Sequence, residues 1–470
     1  MGISAILRRM VKGLIPEVPA MPLVRLATVF VLASIASAAD YVVVVSEATQ
    51  SEWPEVVQAL QERHAAEVVT WAKDVSEARE ALASAAPRFA CFVARPEESD
   101  RPFVVAVHRL TRALDDDPYS DCVWGILTGY DKEDALRIAR HDEPLAVRRG
   151  LGGTGIPLEV FEEGAWFSEG EKNCSFVKEK GGEAMKVACP DDTTKLIADE
   201  LARGCDLFQT SGHATSRDWQ IGYSYRNGQF RCHDGQLMGI DVEGKRFPID
   251  SPSPKVYSAL GNCLMGRIPD RDAMALAFMH TGGVHQMVGY TVSTWFGYGG
   301  WGVHDYFMSG KWTYAESFFL NQQALLARLE KEFPGSDKLA MEEYDIETDE
   351  GAIDRFAQKN GLSSQDQIGL LWDRDTVAFY GDPAWEARLA RQGEVPWKMA
   401  LGEKDGEFTF TVTCTGKGGW GRPVGMVLPR RLSSVEKIEG DGVVTELFVL
   451  LAKTGDFAAG DAFTVRFRGE

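Results

Sequence analysis

Two apolar segments of this 470-residue chain run directly into reactive side chains. One is Leu207-Phe208-Gln209-Thr210-Ser211-Gly212-His213, and the other is Val256-Tyr257-Ser258-Ala259-Leu260-Gly261-Asn262-Cys263. A thiol attacks as its thiolate, and a nearby imidazole both raises the thiolate fraction and returns a proton to a departing amine. The glycine just ahead of each reactive end lets the backbone turn out of the apolar run and leaves amides free to hold an oxyanion. A histidine or a free cysteine alone is common in cores. Their joint placement at the ends of two apolar runs points instead to nucleophilic catalysis by His213 and Cys263.

Competing chemistries lack their signatures. No His-Glu-x-x-His, Gly-x-Ser-x-Gly or Cys-x-x-Cys occurs, and His280 and His285 have no metal-ligand rhythm, so neither a metal nor a cofactor is expected. Gly150 to Gly155 nominally matches Gly-x-Gly-x-x-Gly. With no convincing strand ahead of it and Pro157 where its helix should begin, it is expected to be a loop between subdomains.

The elements that would position the pair alternate. Tyr41 to Val45, Val68 to Trp71, Phe89 to Val93 and Cys122 to Leu127 read as strands. Between and after them, Trp53 to His64, Phe103 to Leu114 and Lys132 to Arg140 read as helices. The pattern resumes with a helix over Lys195 to Arg203, strands over Leu207 to Thr210 and Val256 to Leu260, a buried helix over Asp272 to Thr281, and a strand over Val284 to Tyr290. Ala315 to Glu332 follows as a longer amphipathic helix. Asn227-Gly228 carries a tight-hairpin signature, and the aromatic cluster from Trp295 to Tyr306 reads as loop packing. This alternation predicts an α/β fold with a mostly parallel sheet covered on both faces. From about Glu394 only strand-like alternation remains, which predicts a small all-β sandwich.

The N-terminus has a basic region ending at Arg25, an apolar run from Leu26 to Ile35 and the small residues Ala36 to Ala39, the pattern of an export signal cleaved after Ala38. No later run reaches the length of a spanning helix. The formal net charge of −19, with no basic stripe, makes nucleic acid an unfavourable partner. Export permits disulfides among the eight cysteines, with Cys174/Cys189 and Cys205/Cys232 as candidate pairs that spacing cannot assign.

The His-before-Cys order and spacing resemble the clan of caspases, legumain, separase and gingipains. Ser211-Gly212-His213-Ala214-Thr215 with Trp219 downstream looks like the gingipain Gly-His-Gly segment. The apolar strand into Cys263, the helix Met274 to Met279, Gly282-Gly283, the strand ending Ser293-Thr294-Trp295, and Gly381-Asp382-Pro383 follow that family's order. The resemblance spans about residues 105 to 470 and is strongest from 191 to 300. It implies a caspase-like α/β fold in two subdomains and a secreted, periplasmic or surface cysteine endopeptidase that acts on protein or peptide substrates through a thioester. In that reading the backbone N–H groups of Ala214 and Cys263 form the oxyanion hole and Trp295 walls the primary pocket. Glu162, Glu163, Glu169 and Glu171 are candidates for an acidic specificity residue. Two positions depart from the pattern: Ala214 stands where Gly is usual, and Asn262 where a small apolar residue is usual.

The expected organisation is a signal at 1–38, an N-terminal α/β subdomain at 39–149, a catalytic α/β subdomain at 150–395 and an Ig-like β-sandwich at 396–470. The two departures motivate an alternative, a non-catalytic binding or surface-assembly protein on the same fold. A glycan-binding module using the Trp295 to Tyr306 aromatics is a third reading.

Overall fold

The computed structural model describes residues 40–340, 351–391 and 394–470; the expected export signal lies outside the described residues. Short runs of wholly buried residues, such as Tyr41–Ser46 and Val284–Tyr290, can satisfy their backbone groups only inside a sheet covered on both faces. They do so in one twelve-stranded sheet. Its strands, in chain order, are β1 (Tyr41–Ser46), β2 (Glu67–Trp71), β3 (Phe89–Val93), β4 (Val123–Leu127), β5 (Arg149–Gly152) and β6 (Glu163–Phe167). They continue with β7 (Ser175–Lys178), β8 (Met185–Val187), β9 (Leu207–Thr210), β10 (Lys255–Ala259), β11 (Val284–Tyr290) and β12 (Val377–Tyr380). Across the sheet the order is β2-β1-β3-β4-β12-β11-β10-β9-β5-β6-β7-β8.

Two parallel blocks make up ten of the twelve strands, and β7 and β8 add an antiparallel edge beyond β6. β1 to β4 and β12 run one way; β11, β10, β9, β5 and β6 run the other, and the two blocks meet antiparallel at β12 and β11. Helices cover the faces: α1 (Pro54–His64), α2 (Arg101–Thr111), α3 (Lys132–Arg140), α4 (Thr194–Arg203), α5 (Met274–His280), α6 (Tyr298–Met308), α7 (Tyr314–Glu332) and α8 (Gln365–Arg374). α7 begins at a capping box, with Thr313 Oγ1 accepting from Glu316 N–H and the Glu316 carboxylate accepting from Thr313 N–H. From Trp397 onward the strands pair only with one another, in small antiparallel sheets whose inward residues Phe408, Phe410, Val465, Phe467, Phe448 and Leu450 pack together. The fold class expected from the alternation, a mostly parallel sheet with flanking helices and an all-β tail, is the one the chain adopts.

Three local expectations fail. Arg149–Gly152 is not a loop but β5, buried at Gly150 to Gly152 between β9 and β6. Its glycines hid it from a reading that seeks bulky strand formers. Asn227-Gly228 is not a two-residue hairpin; the Asn227 carboxamide accepts from Thr193 N–H and Gly228 N–H, and the strands it joins, Asp218–Gln220 and Gln229–His233, stand eight residues apart. The tight turn is Asp234-Gly235, both at positive φ (50° and 78°) between the paired residues His233 and Gln236. The aromatic stretch after Trp295 is helix α6 rather than loop. It seats directly on the carboxyl end of β10, where a Cβ on Gly300 would meet Leu260 O at 2.1 Å.

Among the described residues no helix is long and apolar enough to cross a membrane. All eight cysteines are free thiols. Cys205 adjoins the buried Lys255 ammonium and Cys232 faces the Arg271 carbonyl, so these two thiols have different neighbours.

Candidate active site

In an open parallel sheet, ligands collect beyond the carboxyl ends of strands where the chain order reverses. Here the reversal falls between β5 and β9: β6 lies outward of β5 on one side, while β10 and β11 follow β9 on the other. The residues just beyond these strands are Thr154 after β5, Glu169 after β6, His213 after β9, Cys263 after β10 and Thr294 after β11. Five neighbouring strands therefore deliver one polar residue each to the same end of the sheet.

β9 and β10 pair in register through Thr210 and Ala259, and Leu260 N–H still bonds to Thr210 O at 3.0 Å. Beyond that point Asn262 takes over. Its side chain is fully buried, with Oδ1 accepting from Thr210 Oγ1 at 2.6 Å and Nδ2 donating to Gly212 O at 3.2 Å. Asn262 thus ties the loop that carries Cys263 to the loop that carries His213. A small apolar residue could not do so, which gives this departure from the gingipain pattern a structural role. Gly212 itself sits at φ +88°, which a side chain would strain. The next shell is fixed by Trp219, whose indole N–H donates to Ser211 O at 2.9 Å from a fully buried position.

Cys263 is half-buried. Its sulfur accepts a hydrogen bond from Thr294 N–H at 3.3 Å, and Thr294 Oγ1 reaches back to Asn262 O at 3.3 Å. The following residue, Leu264, is held at φ +60° by Leu264 N–H to Val292 O and Gly266 N–H to Tyr290 O. A left-handed non-glycine residue is uncommon and is kept only where the surroundings over-determine it. His213 is exposed, its ring stacked on Tyr223 with centroids 4.7 Å apart and planes 24° off parallel. No direct hydrogen bond joins the His213 and Cys263 side chains among the described residues. Ala214 forms an isolated antiparallel bridge to Trp219, which fixes the backbone just after the imidazole.

The four acidic candidates separate clearly. Glu162 pairs with Arg148 and Lys180, Glu171 pairs with Lys186, and Glu163 lies at the start of β6, the far end of that strand. Of the four, Glu169 reaches the loop that carries His213: a Cβ on Gly212 would lie 3.1 Å from its Oε2. Thr154 Oγ1 donates to Oε1 at 2.8 Å, whereas buried Oε2 has no hydrogen-bond partner. Burial pushes the Glu169 carboxyl above its usual range, against the Thr154 hydrogen bond that pulls it down.

Trp295 follows Thr294 and is 37% exposed; Trp301, on α6, is 38% exposed, its indole nitrogen 3.6 Å from where a Gly261 Cβ would stand. With Tyr223 these are three of the five large hydrophobic side chains left exposed among the described residues, and all three flank the dyad loops. Amphipathic rings gathered at one place suit a peptide-like chain. The sequence reading missed Thr294 and Tyr223 as site residues. A backbone N–H that serves a thiol leaves no side-chain signature, and Tyr223 sat inside a misread hairpin.

No protein-family model and no curated protein matches this sequence. Solved structures align with most of the chain at low TM-scores. The Arg-specific cysteine proteinase gingipain R shares 11% identity over 89% of this chain and 92% of its own, with a TM-score of 0.35. A complex of the pro- and mature domains of Porphyromonas gingivalis RgpB shares 12% identity over 88% and 93%, also at 0.35. A structure described only as a protease shares 8% identity over 92% and 95%, at 0.37. Likeness at this level leaves the chemistry to the residues of this chain.

Proposed function

We propose that this chain is an exported cysteine peptidase in which Cys263 is the nucleophile and His213 its proton shuttle. The observation that carries this reading is the Asn262 strut, which holds a half-buried thiol and an exposed imidazole on the ends of two paired parallel strands. Cys263 Sγ passes its proton to His213 and bonds to the scissile carbonyl carbon, while the amides of Ala214 and Cys263 receive the oxyanion. Collapse breaks the carbon–nitrogen bond, the amine leaves with the proton from His213, and a thioester remains. A water then gives a proton to His213 and adds to the thioester; the carbon–sulfur bond breaks, and the thiol regains its proton as the acid departs.

Glu169 supports a finer reading. A buried carboxylate oxygen without a partner, beside Gly212, is an acceptor for a cationic side chain at the cleavage site. The test is turnover of a mixed peptide library by the purified chain lacking residues 1–38, beside Cys263→Ala. Turnover with lysine or arginine enriched at the cut, abolished in Cys263→Ala, is the expected result. Wild-type-like turnover by Cys263→Ala refutes the mechanism. An inactive wild type with an unreactive Cys263 favours the binding or surface-assembly alternative.

A further inference from the structure

Nucleophile–imidazole pairs work when a third group fixes the imidazole, most often an acceptor bonded to its second nitrogen. His213 has no such acceptor among the described residues; its ring is instead laid against the face of Tyr223. Tyr223 is well placed for this. It is 55% exposed, so it contributes little to the core, yet its backbone is clamped. Tyr223 N–H and Ser224 N–H both donate to Glu169 O, at 2.7 and 3.1 Å, and Tyr225 OH donates to Ser168 O at 2.7 Å. The ring also passes within 3.6 Å of where a Gly212 Cβ would stand, so it contacts the very turn that launches His213.

We propose that Tyr223 is a positioning residue for His213, holding the plane of the imidazole by stacking where related chemistry uses a hydrogen bond. This rests on the reading of His213 and Cys263 as a catalytic pair. Stacking constrains the ring plane while leaving both nitrogens free to exchange protons. The loop after β6 then serves twice: its Glu169 side chain points at Gly212, and its Glu169 carbonyl holds the tyrosine that aligns the base. The aromatic face is the functional part; the hydroxyl is not required.

The experiment measures carboxamidomethylation of Cys263 by iodoacetamide from pH 6 to 9, together with kcat and KM on a peptide substrate. It compares wild type, His213→Ala, Tyr223→Phe, Tyr223→Leu and Tyr223→Ala. Modification is read by mass spectrometry on the peptide bearing Cys263, because the other thiols are also free and Cys189 is half-buried. Tyr223→Ala and Tyr223→Leu are expected to lower kcat by roughly 3- to 10-fold, the worth of an aromatic stack, with KM little changed. Both should shift the alkylation profile toward that of His213→Ala, and Tyr223→Phe should restore both readouts. If His213→Ala alters the profile but Tyr223→Ala and Tyr223→Leu do not, stacking has no positioning role. If His213→Ala leaves the profile of the wild type intact, the catalytic pair itself is wrong and this inference falls with it.

Discussion

A single carboxamide, that of Asn262, spans the loops that carry His213 and Cys263. Asn262→Ala removes the donor to Gly212 O and the acceptor for Thr210 Oγ1, although Thr210 keeps the Tyr257 hydroxyl at 2.8 Å. Two buried hydrogen bonds at ~1 kcal/mol each, plus ~1 kcal/mol for the void, predict a loss of about 2–3 kcal/mol in stability. The effect on turnover should be larger, since a displacement of ~1 Å at a reacting centre costs on the order of 100-fold in rate. Asn262→Asp is the sharper variant: it preserves shape but sets an acceptor against Gly212 O in a fully buried place. Burial raises such a carboxyl, so the variant is least destabilised at low pH and loses stability as pH rises and the group ionises. Urea unfolding and peptide turnover read the two effects separately. An Asn262→Ala protein within ~0.5 kcal/mol of wild type and of unchanged turnover would refute the strut, since mutational scatter alone reaches that size.

Four further outcomes are expected. Cys263→Ala and His213→Ala should each cost roughly 10³-fold or more in kcat/KM with the double variant little worse, because the two act as one unit; full additivity would argue against a dyad. Ala214→Gly should preserve or modestly raise activity, since only its N–H is used, and a large loss would remove Ala214 from the oxyanion hole. Glu169→Gln should lower kcat/KM for lysine and arginine peptides on the order of 10- to 100-fold while sparing neutral ones, the scale of a charge-assisted hydrogen bond; an equal loss on both refutes the specificity role. Burial raises the Asp373 carboxyl to about 7, so its contribution to stability is present at low pH and lost as pH rises through that value. Asp373→Asn should flatten that fall by on the order of 3 kcal/mol between pH 4 and 8, measured by denaturant unfolding, and parallel curves would refute it.

Much of the site was legible because its carriers are apolar strands, and a strand buried on both faces leaves an unbroken run in the sequence. Leu207 to Thr210 and Val256 to Leu260 carry that signal, and the structure pairs Leu207–Thr210 with Val256–Ala259 in parallel. What escaped was structure with no periodic signature. β5 is Arg-Gly-Leu-Gly, a strand whose two glycines are hemmed in by Phe161 and Trp166. α6 opens Tyr-Gly-Gly-Trp-Gly, a poor helix former by propensity. Tertiary contact overrides propensity there, since close approach to Leu260 O and to the Asn321 side chain needs glycine at Gly300 and Gly302. Asn262 was visible as an irregularity in the sequence, but its partners lie on another strand, and only the folded register names them.

α6 also ties the β-rich tail to the chemistry. Its first turn is held by the Asp373 carboxylate, which accepts from Gly299 N–H at 2.8 Å and from Tyr290 OH at 2.9 Å, while the Asn321 carboxamide donates to Gly299 O at 2.8 Å. Its outer face is held by the tail: the Arg422 guanidinium lies 3.7 Å over the Tyr298 ring and donates to Asp305 at 3.3 Å, and Tyr306 OH bonds to Pro423 O. Just past α6, Trp312 N–H reaches Gly425 O at 3.0 Å. A largely shielded cation over an aromatic face is worth ~1 kcal/mol or more, so this brace is comparable in strength to the cap at the other side of the helix. Trp301 stands on that helix against Gly261, two residues before Cys263. Strands that pair only with one another thus help set the wall beside Cys263: on the outer face of α6 the tail's Arg422 holds both Asp305 and Tyr298, whose ring also stacks on Phe296.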